Sequence, residues 1–259
     1  MCGITMLWSR EGVFSLEDIT TVLTWAEKRG EDGYGVAVYH PKQPGLITVY
    51  KSMKPFTKDK HEFFNWLSTT YFGEVGSVLL AISRATPETE AQSVDDRSLQ
   101  PIVKHSKVLI HNGSIANETI NKYIITPRVS DIDSEVILDV FEKTRDLKTT
   151  CEKLLGGFAF IIPDPAIRRV YVATNFRPLA FGYIRGKGLI VHSLLDPVKE
   201  IIYRVTNAPR TGLCVWEDFY YETLPALHWR EIDLDSGFMR IGTFTPLYEH
   251  PVWKPKQSE

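Results

Sequence analysis

Hydrophobic positions along this chain fall into two rhythms. Short apolar runs of strand length occupy Cys2 to Trp8, Val36 to His40, Leu46 to Lys51, Val78 to Ser83, Ile102 to Ile110, Phe158 to Pro163, Val170 to Thr174 and Leu189 to His192. Helical spacing appears instead in Ile19, Val22, Leu23 and Ala26, in Phe63, Trp66, Leu67 and Thr70, and in Val136, Ile137, Val140 and Phe141. A further helix is expected over 195–205 and short strands over 213–241. Ser15-Leu16-Glu17-Asp18 reads as a capping box, and the helix it opens should stop near Arg29-Gly30, where glycine suits a left-handed cap. The runs at 36–40 and 46–51, joined by Pro41-Lys42-Gln43-Pro44-Gly45, read as a hairpin. Strands and helices thus come in blocks, a pattern that favours α+β with antiparallel sheets over a doubly wound parallel sheet.

From Ala85 to Pro101 the chain is polar, turn-rich and aperiodic, which predicts a long loop of the kind that often carries function. No internal repeat, low-complexity tract or linker divides the 259 residues. A net charge of -2 supplies no basic field for nucleic acid, so no direct nucleic-acid binding is expected. The three cysteines, Cys2, Cys151 and Cys214, have no metal-like spacing, which points to a reducing compartment. No apolar run approaches the ~18 residues needed to span a bilayer, and the N-terminus lacks the pattern of a signal peptide. A soluble, cytoplasmic protein is expected.

Met1-Cys2-Gly3-Ile4 carries the first chemistry. Removal of Met1 would leave Cys2 with a thiol and a free α-amino group on one residue. The amine titrates near ~8 and can take the thiol proton, so the pair is a nucleophile with its own base. A cysteine in this place is otherwise a small apolar residue.

Four stretches decide between these. Cys2-Gly3-Ile4, the loop Arg29-Gly30-Glu31-Asp32-Gly33-Tyr34-Gly35, the run from Gln100-Pro101 to His111-Asn112-Gly113-Ser114-Ile115-Ala116-Asn117, and Asp133-Ser134-Glu135-Val136-Ile137 occur in this order. Together they resemble the class II glutamine amidotransferases, the N-terminal-nucleophile glutaminase domain. Leu155-Gly156-Gly157-Phe158-Ala159-Phe160 and Asn175-Phe176-Arg177-Pro178-Leu179 resemble later signatures of that family. The resemblance implies a four-layer αββα sandwich, two antiparallel sheets face to face with helices outside. It would cover a domain over 1–245, with 246–259 as a loose C-terminal tail.

The same resemblance implies roles. Cys2 would attack the side-chain amide of L-glutamine, form a thioester and release ammonia, and water would then yield glutamate. Asn112 and Gly113 would supply donors to the oxyanion, although Asn-Gly is elsewhere a turn. Arg84 would hold the substrate α-carboxylate and Asp133 its α-ammonium, while Asp133 also stands where a helix N-cap is expected. Arg29, Asp32 and Gly33 would shape the loop and hold it near the Cys2 backbone. Gln100-Pro101 reads as packing, and His111 and Arg177 as structural. No cofactor or metal is required.

No phosphate-binding loop or dinucleotide fingerprint follows residue 200. The ammonia is therefore expected to go to a synthetase partner on another chain. Alternatives are a hydrolase of another γ-glutamyl or amide compound, or an inactive regulatory subunit that keeps Met1.

Overall fold

The computed structural model describes residues 1–40, 46–70, 73–86, 96–207 and 218–246. The apolar run at the start forms β1 (Gly3–Trp8), buried along its whole length because it lies in the middle of a sheet. β4 (Val78–Ser83) pairs with it on one side and β10 (Gly188–His192) on the other. Outward from β4 follow β2 (Tyr34–Tyr39) and β3 (Ile47–Ser52); outward from β10 follow β9 (Ala180–Ile184) and β11 (Phe219–Thr223). The strands at 34–39 and 47–52 form the expected hairpin, whose turn at 41–45 lies outside the described residues.

The second sheet runs in the order β13 (Met239–Thr243), β12 (His228–Asp233), β8 (Arg169–Thr174), β7 (Gly156–Asp164), β6 (Lys107–Ile115) and β5 (Ile102–Lys104). Every pairing given for the two sheets is antiparallel. The sheets pack face to face through alternating residues such as Ile4, Met6, Leu80, Ile82, Val108, Ile110, Ala159 and Ile161. Outside the first sheet lie α1 (Leu16–Glu27), α2 (Phe56–Leu67) and α6 (Leu195–Thr206), and outside the second lie α4 (Glu135–Thr144) and α5 (Leu147–Lys153), after a short α3 (Asn117–Tyr123). This is the α+β sandwich of two antiparallel sheets with helices outside.

Ser15 and Asp18 cap α1 reciprocally, as read. Its end corrects the expectation: the C-cap is Lys28 in a right-handed conformation. Gly30 is needed for space, because a Cβ there would stand 2.3 Å from the Arg84 carbonyl carbon. A second correction concerns the run from Ile102 to Ile110, which is two strands joined by His105 and Ser106, at φ 53° and 59°. Positive φ at both central residues is the type I′ hairpin geometry. Of the short strands expected over 213–241, three are found at 219–223, 228–233 and 239–243; residues 213–217, with Cys214, and most of the expected tail lie outside the described residues. Among the described residues no helix is long and apolar enough to cross a membrane.

Candidate active site

One pocket is lined by Cys2, Arg84, Gly113 and Asp133, together with Gln100 and Ser134. Separate elements deliver these side chains. Gly3 pairs with Ser83, so the register continues to Cys2 opposite Arg84 just past the strand ends. Ile4, Met6 and Trp8 point between the sheets, and Cys2, two residues before Ile4, packs on that same layer. On β6 the even positions Val108 and Ile110 also face it, which directs Asn112 inward while His111 faces α4. The inner faces of β1 and β6 are in contact, so Cys2 and Asn112 both belong to the layer between the sheets, although Asn112 is not among the residues that line the pocket.

Asn112 is 2 % exposed, and its side-chain nitrogen Nδ2 is buried without a hydrogen-bond partner. An unsatisfied buried amide donor costs about 1–3 kcal/mol. The donor is thus available to a group that the chain itself does not supply.

The backbone of β6 adds a second feature. The His111 N–H donates to Gln100 Oε1 at 2.6 Å, and the Ile115 N–H donates to Asp133 Oδ2 at 2.6 Å. Residues two apart in a strand direct their amides to the same side. Gly113, between these two, therefore presents its N–H on that same edge, beyond the end of β5. Phe158, its partner on β7, turns its own amide to Asn175 Oδ1 at 2.7 Å. Asn-Gly is thus within a strand, not in a turn, and Gln100 ties the preceding loop to β6 rather than merely packing.

Asp133 is not a helix cap. The N-cap of α4 is Ser134, without a side-chain cap bond, and the Asp133 carboxylate instead takes Ile115 N–H and the Ser134 hydroxyl, the latter at 3.2 Å. Behind it, Lys104 Nζ lies 2.5 Å from Glu135 Oε1 and 2.9 Å from Asp139 Oδ1, all three side chains buried. Glu135 also accepts the backbone N–H groups of Val129 and Ser130. This cluster pins the segment that leads into Asp133.

The supporting loop is placed as the sequence reading expected in part. Arg29 Nε donates to the Cys2 carbonyl oxygen at 3.2 Å. Asp32 does not reach Cys2; its carboxylate takes the Thr86 N–H at 2.7 Å, and its own N–H donates to the Arg84 carbonyl. Gly33, at φ 127°, accepts the Arg84 N–H at 2.8 Å. Arg84 Nη1 in turn donates to the Ser98 carbonyl oxygen at 2.6 Å.

Burial pushes the Cys2 thiol above its ordinary range, while the Ala85 backbone, the charged N-terminus, Arg84 and Arg29 offset part of that. Its Sγ lies 3.9 Å from the Ala85 carbonyl oxygen. His111 is pushed down to about 4, chiefly by burial. It is neutral at pH 7, hydrogen-bonds Ser134 Oγ at 2.8 Å and lines the same pocket as Cys2. Among the described residues no group of three His, Cys, Asp or Glu side chains is arranged to hold a metal ion. Arg177, read as structural, reaches the start of the chain: its Nη1 lies 3.3 Å from Met1 Sδ.

Comparison with known proteins bears on much of the chain. A family model described as a glutamine amidotransferase domain matches residues 89–200. A protein of Sulfurisphaera tokodaii named 7-cyano-7-deazaguanine synthase 2 is 30% identical over 208 residues, covering 76% of this chain and 44% of that protein. One from Sulfolobus acidocaldarius, named 7-cyano-7-deazaguanine synthase, is 28% identical, covering 76% and 43%. The chain spans less than half the length of these curated relatives. Among solved structures, glutamine phosphoribosylpyrophosphate amidotransferase from B. subtilis superposes with a TM-score of 0.66 at 19% identity, over 93% of this chain and 49% of that one. A glutamine aminotransferase class-II domain protein from Silicibacter pomeroyi does so at 0.56 and 14%, over 95% and 99%. At such identities these two speak for the fold.

Proposed function

We propose that the chain is a class II, N-terminal-nucleophile glutamine amidotransferase, a reading supported by the match of residues 89–200 to a glutamine amidotransferase domain, and that it hydrolyses L-glutamine through Cys2 and passes the ammonia to a synthetase partner on another chain. The observation that carries the reading is the convergence of Cys2, Arg84, Gly113 and Asp133 on one pocket. A thiol, a cation, a backbone donor and a carboxylate are the four groups that an amide substrate with a zwitterionic end calls for.

The chemistry runs as follows. Removal of Met1, a residue 64% exposed, gives the Cys2 amine. As the thiol sulfur bonds to the amide carbon of glutamine, its proton passes to that amine. Asn112 Nδ2 and the Gly113 N–H stabilise the oxyanion; loss of one such donor typically costs about 3 kcal/mol of barrier lowering. Arg84 binds the α-carboxylate and Asp133 the α-ammonium. The amine then gives its proton to the departing nitrogen, which leaves as ammonia. Water hydrolyses the thioester to glutamate and restores the thiol. Arg29, Asp32 and Gly33 hold the loop against Cys2 and Arg84.

The relatives' name points to the acceptor. A cyano group is a nitrogen-bearing product, so a synthase making a cyano-deazaguanine is the kind of enzyme that ammonia from this site would serve. Intact mass before and after 6-diazo-5-oxo-norleucine tests the nucleophile. A chain lacking methionine with one adduct on Cys2, and no ammonia release in Cys2→Ala, is expected. Retained Met1 with no adduct would instead favour an inactive regulatory subunit. Transfer of label from glutamine with a 15N side-chain amide into a partner's product tests delivery.

A further inference from the structure

Two guanidinium groups from distant parts of the chain converge on its first residue. Arg29, between α1 and β2, places Nη2 3.6 Å from Met1 Sδ, and Arg177, just after β8, places Nη1 3.3 Å from the same sulfur. A thioether is a weak acceptor, so hydrogen bonding to it does not account for two arginines being aimed there. The Nε of Arg177 is buried without a hydrogen-bond partner. The turn that presents Arg177 is held by the Thr174 hydroxyl donating to the Arg177 carbonyl, so its side chain is not needed to form it.

Resting on the reading of Cys2 as an N-terminal nucleophile, we propose that Arg177 is a positioning residue for the Cys2 α-amino group: once Met1 is removed, its charge and that of Arg29 hold the new amine unprotonated, ready to accept the thiol proton. An α-amine titrates near ~8 and is mostly protonated at pH 7, where it has no lone pair to offer. A neighbouring cation disfavours the ammonium and lowers its pKa.

The groups around this end of β1 are few. Arg29 donates to the Cys2 carbonyl, Arg84 lies at the end of β4, and Arg177 comes from beyond β8. Against these stand the carboxylates of Asp32, bonded to Thr86 N–H, and Asp133, bonded to Ile115 N–H. The Cys2 thiol is protonated in its resting state. His111, and His192 on β10, are buried and both held near 4, so they carry no charge at neutral pH. Three cations stand against two carboxylates, and Arg177, unlike Arg29 and Arg84, reaches this end of the chain through Met1 Sδ and not through a backbone carbonyl.

The test is the titration of the amine itself in the full chain beginning at Cys2, prepared by cleaving an N-terminal fusion. Competitive acetylation with isotope-labelled acetic anhydride across pH, read by peptide mass, reports the amine without requiring turnover. Arg177→Met should raise the amine pKa by about half a unit or more, Arg177→Lys should leave it near the parent value, and the acid limb of kcat/KM should move up in Arg177→Met by the same amount. An unchanged amine titration in Arg177→Met overturns the proposal, and so does a fall in kcat with no shift in the limb. If the parent hydrolyses no glutamine, the glutaminase reading fails by itself, while the acetylation curves still decide the role of Arg177.

Discussion

A Cβ added to Gly113 would stand 1.8 Å from the Gly157 carbonyl oxygen. Gly157 is the residue of β7 next to Phe158, the register partner of Gly113, and its carbonyl fills the space a side chain would need; Gly113 also sits at φ 149°, in the region that favours glycine. Gly113→Ala is expected to destabilise the fold by at least about 2 kcal/mol, through both overpacking and backbone strain. A urea titration would show it as a lower midpoint, and an unchanged midpoint would contradict the close approach.

The thiol of Cys2 is raised chiefly by burial, with Arg84 and Arg29 among the groups opposing the rise. In the chain that retains Met1, alkylation by iodoacetamide should be slow at neutral pH and accelerate up to and beyond the ordinary thiol range. Arg29→Met removes one opposing charge and should move the inflection higher. A plateau below pH 7 would contradict this account.

Arg84 and Asp133 should affect binding more than turnover if they hold the ends of glutamine. For Asp133→Asn the remaining carbonyl oxygen can still accept the Ile115 N–H, so the thermal midpoint should change little while KM rises about tenfold or more. Arg84→Met should raise KM similarly. Steady-state kinetics with unchanged KM in both variants would remove the recognition role.

Two histidines make stability depend on pH. His111 and His192 are fully buried and held at about 4 by burial, against an ordinary value of 6.5. In His192 the Leu194 N–H donates to Nδ1, which leaves Nε2 to carry the proton toward the Val22 carbonyl. A group whose folded pKa is depressed gives stability that is present above its unfolded pKa and lost as pH falls toward the folded one. Stability should therefore drop between pH ~6.5 and ~4, by up to about 3 kcal/mol for each histidine. Urea midpoints at pH 7 and 5 measure it, and His192→Asn should flatten the dependence.

Lys104 is the counter-charge to two buried carboxylates, Glu135 and Asp139. Lys104→Met would remove the buried cation they share, leaving Asp139 with His105 at 2.8 Å and Glu135 with Arg128 at 3.7 Å, and should cost about 3 kcal/mol. Because Glu135 also holds the Val129 and Ser130 amides, hydrogen exchange over 125–134 should rise in that variant.

What the sequence made legible was what local chemistry decides. The Ser15–Asp18 capping box, the buried run of β1 and the apolar stripes of α1 and α4 follow from spacing, and the structure repeats them. Misreadings arose where tertiary contacts decide. His105-Ser106 carries no glycine or asparagine to announce a hairpin, and its left-handed backbone is secured by His105 Nε2 on Asp139 Oδ1 at 2.8 Å. Gly30 looked like a cap because its real reason, the passage of the Arg84 backbone, is fifty residues away in sequence. β9 escaped notice because Gly182 breaks its apolar run, and that glycine exists to let Val198 of α6 pack on the strand. For the candidate site, residue types pointed to Cys2, Arg84, Asn112, Gly113 and Asp133. The approach of Arg177 to Met1 joins opposite ends of the first 177 residues, and no local pattern encodes it.

Along the edge of β6, one amide is answered by Gln100 and another by Asp133, with Gly113 between them. β5, the neighbour that would continue the ladder, begins only at Ile102, opposite Leu109. A substrate carbonyl seated there would take the bond that an adjoining strand gives elsewhere in the sheet. On the proposed reading, recognition at this point would be sheet formation interrupted: two side chains fill the rungs on either side, and one rung is left between them for a single acceptor.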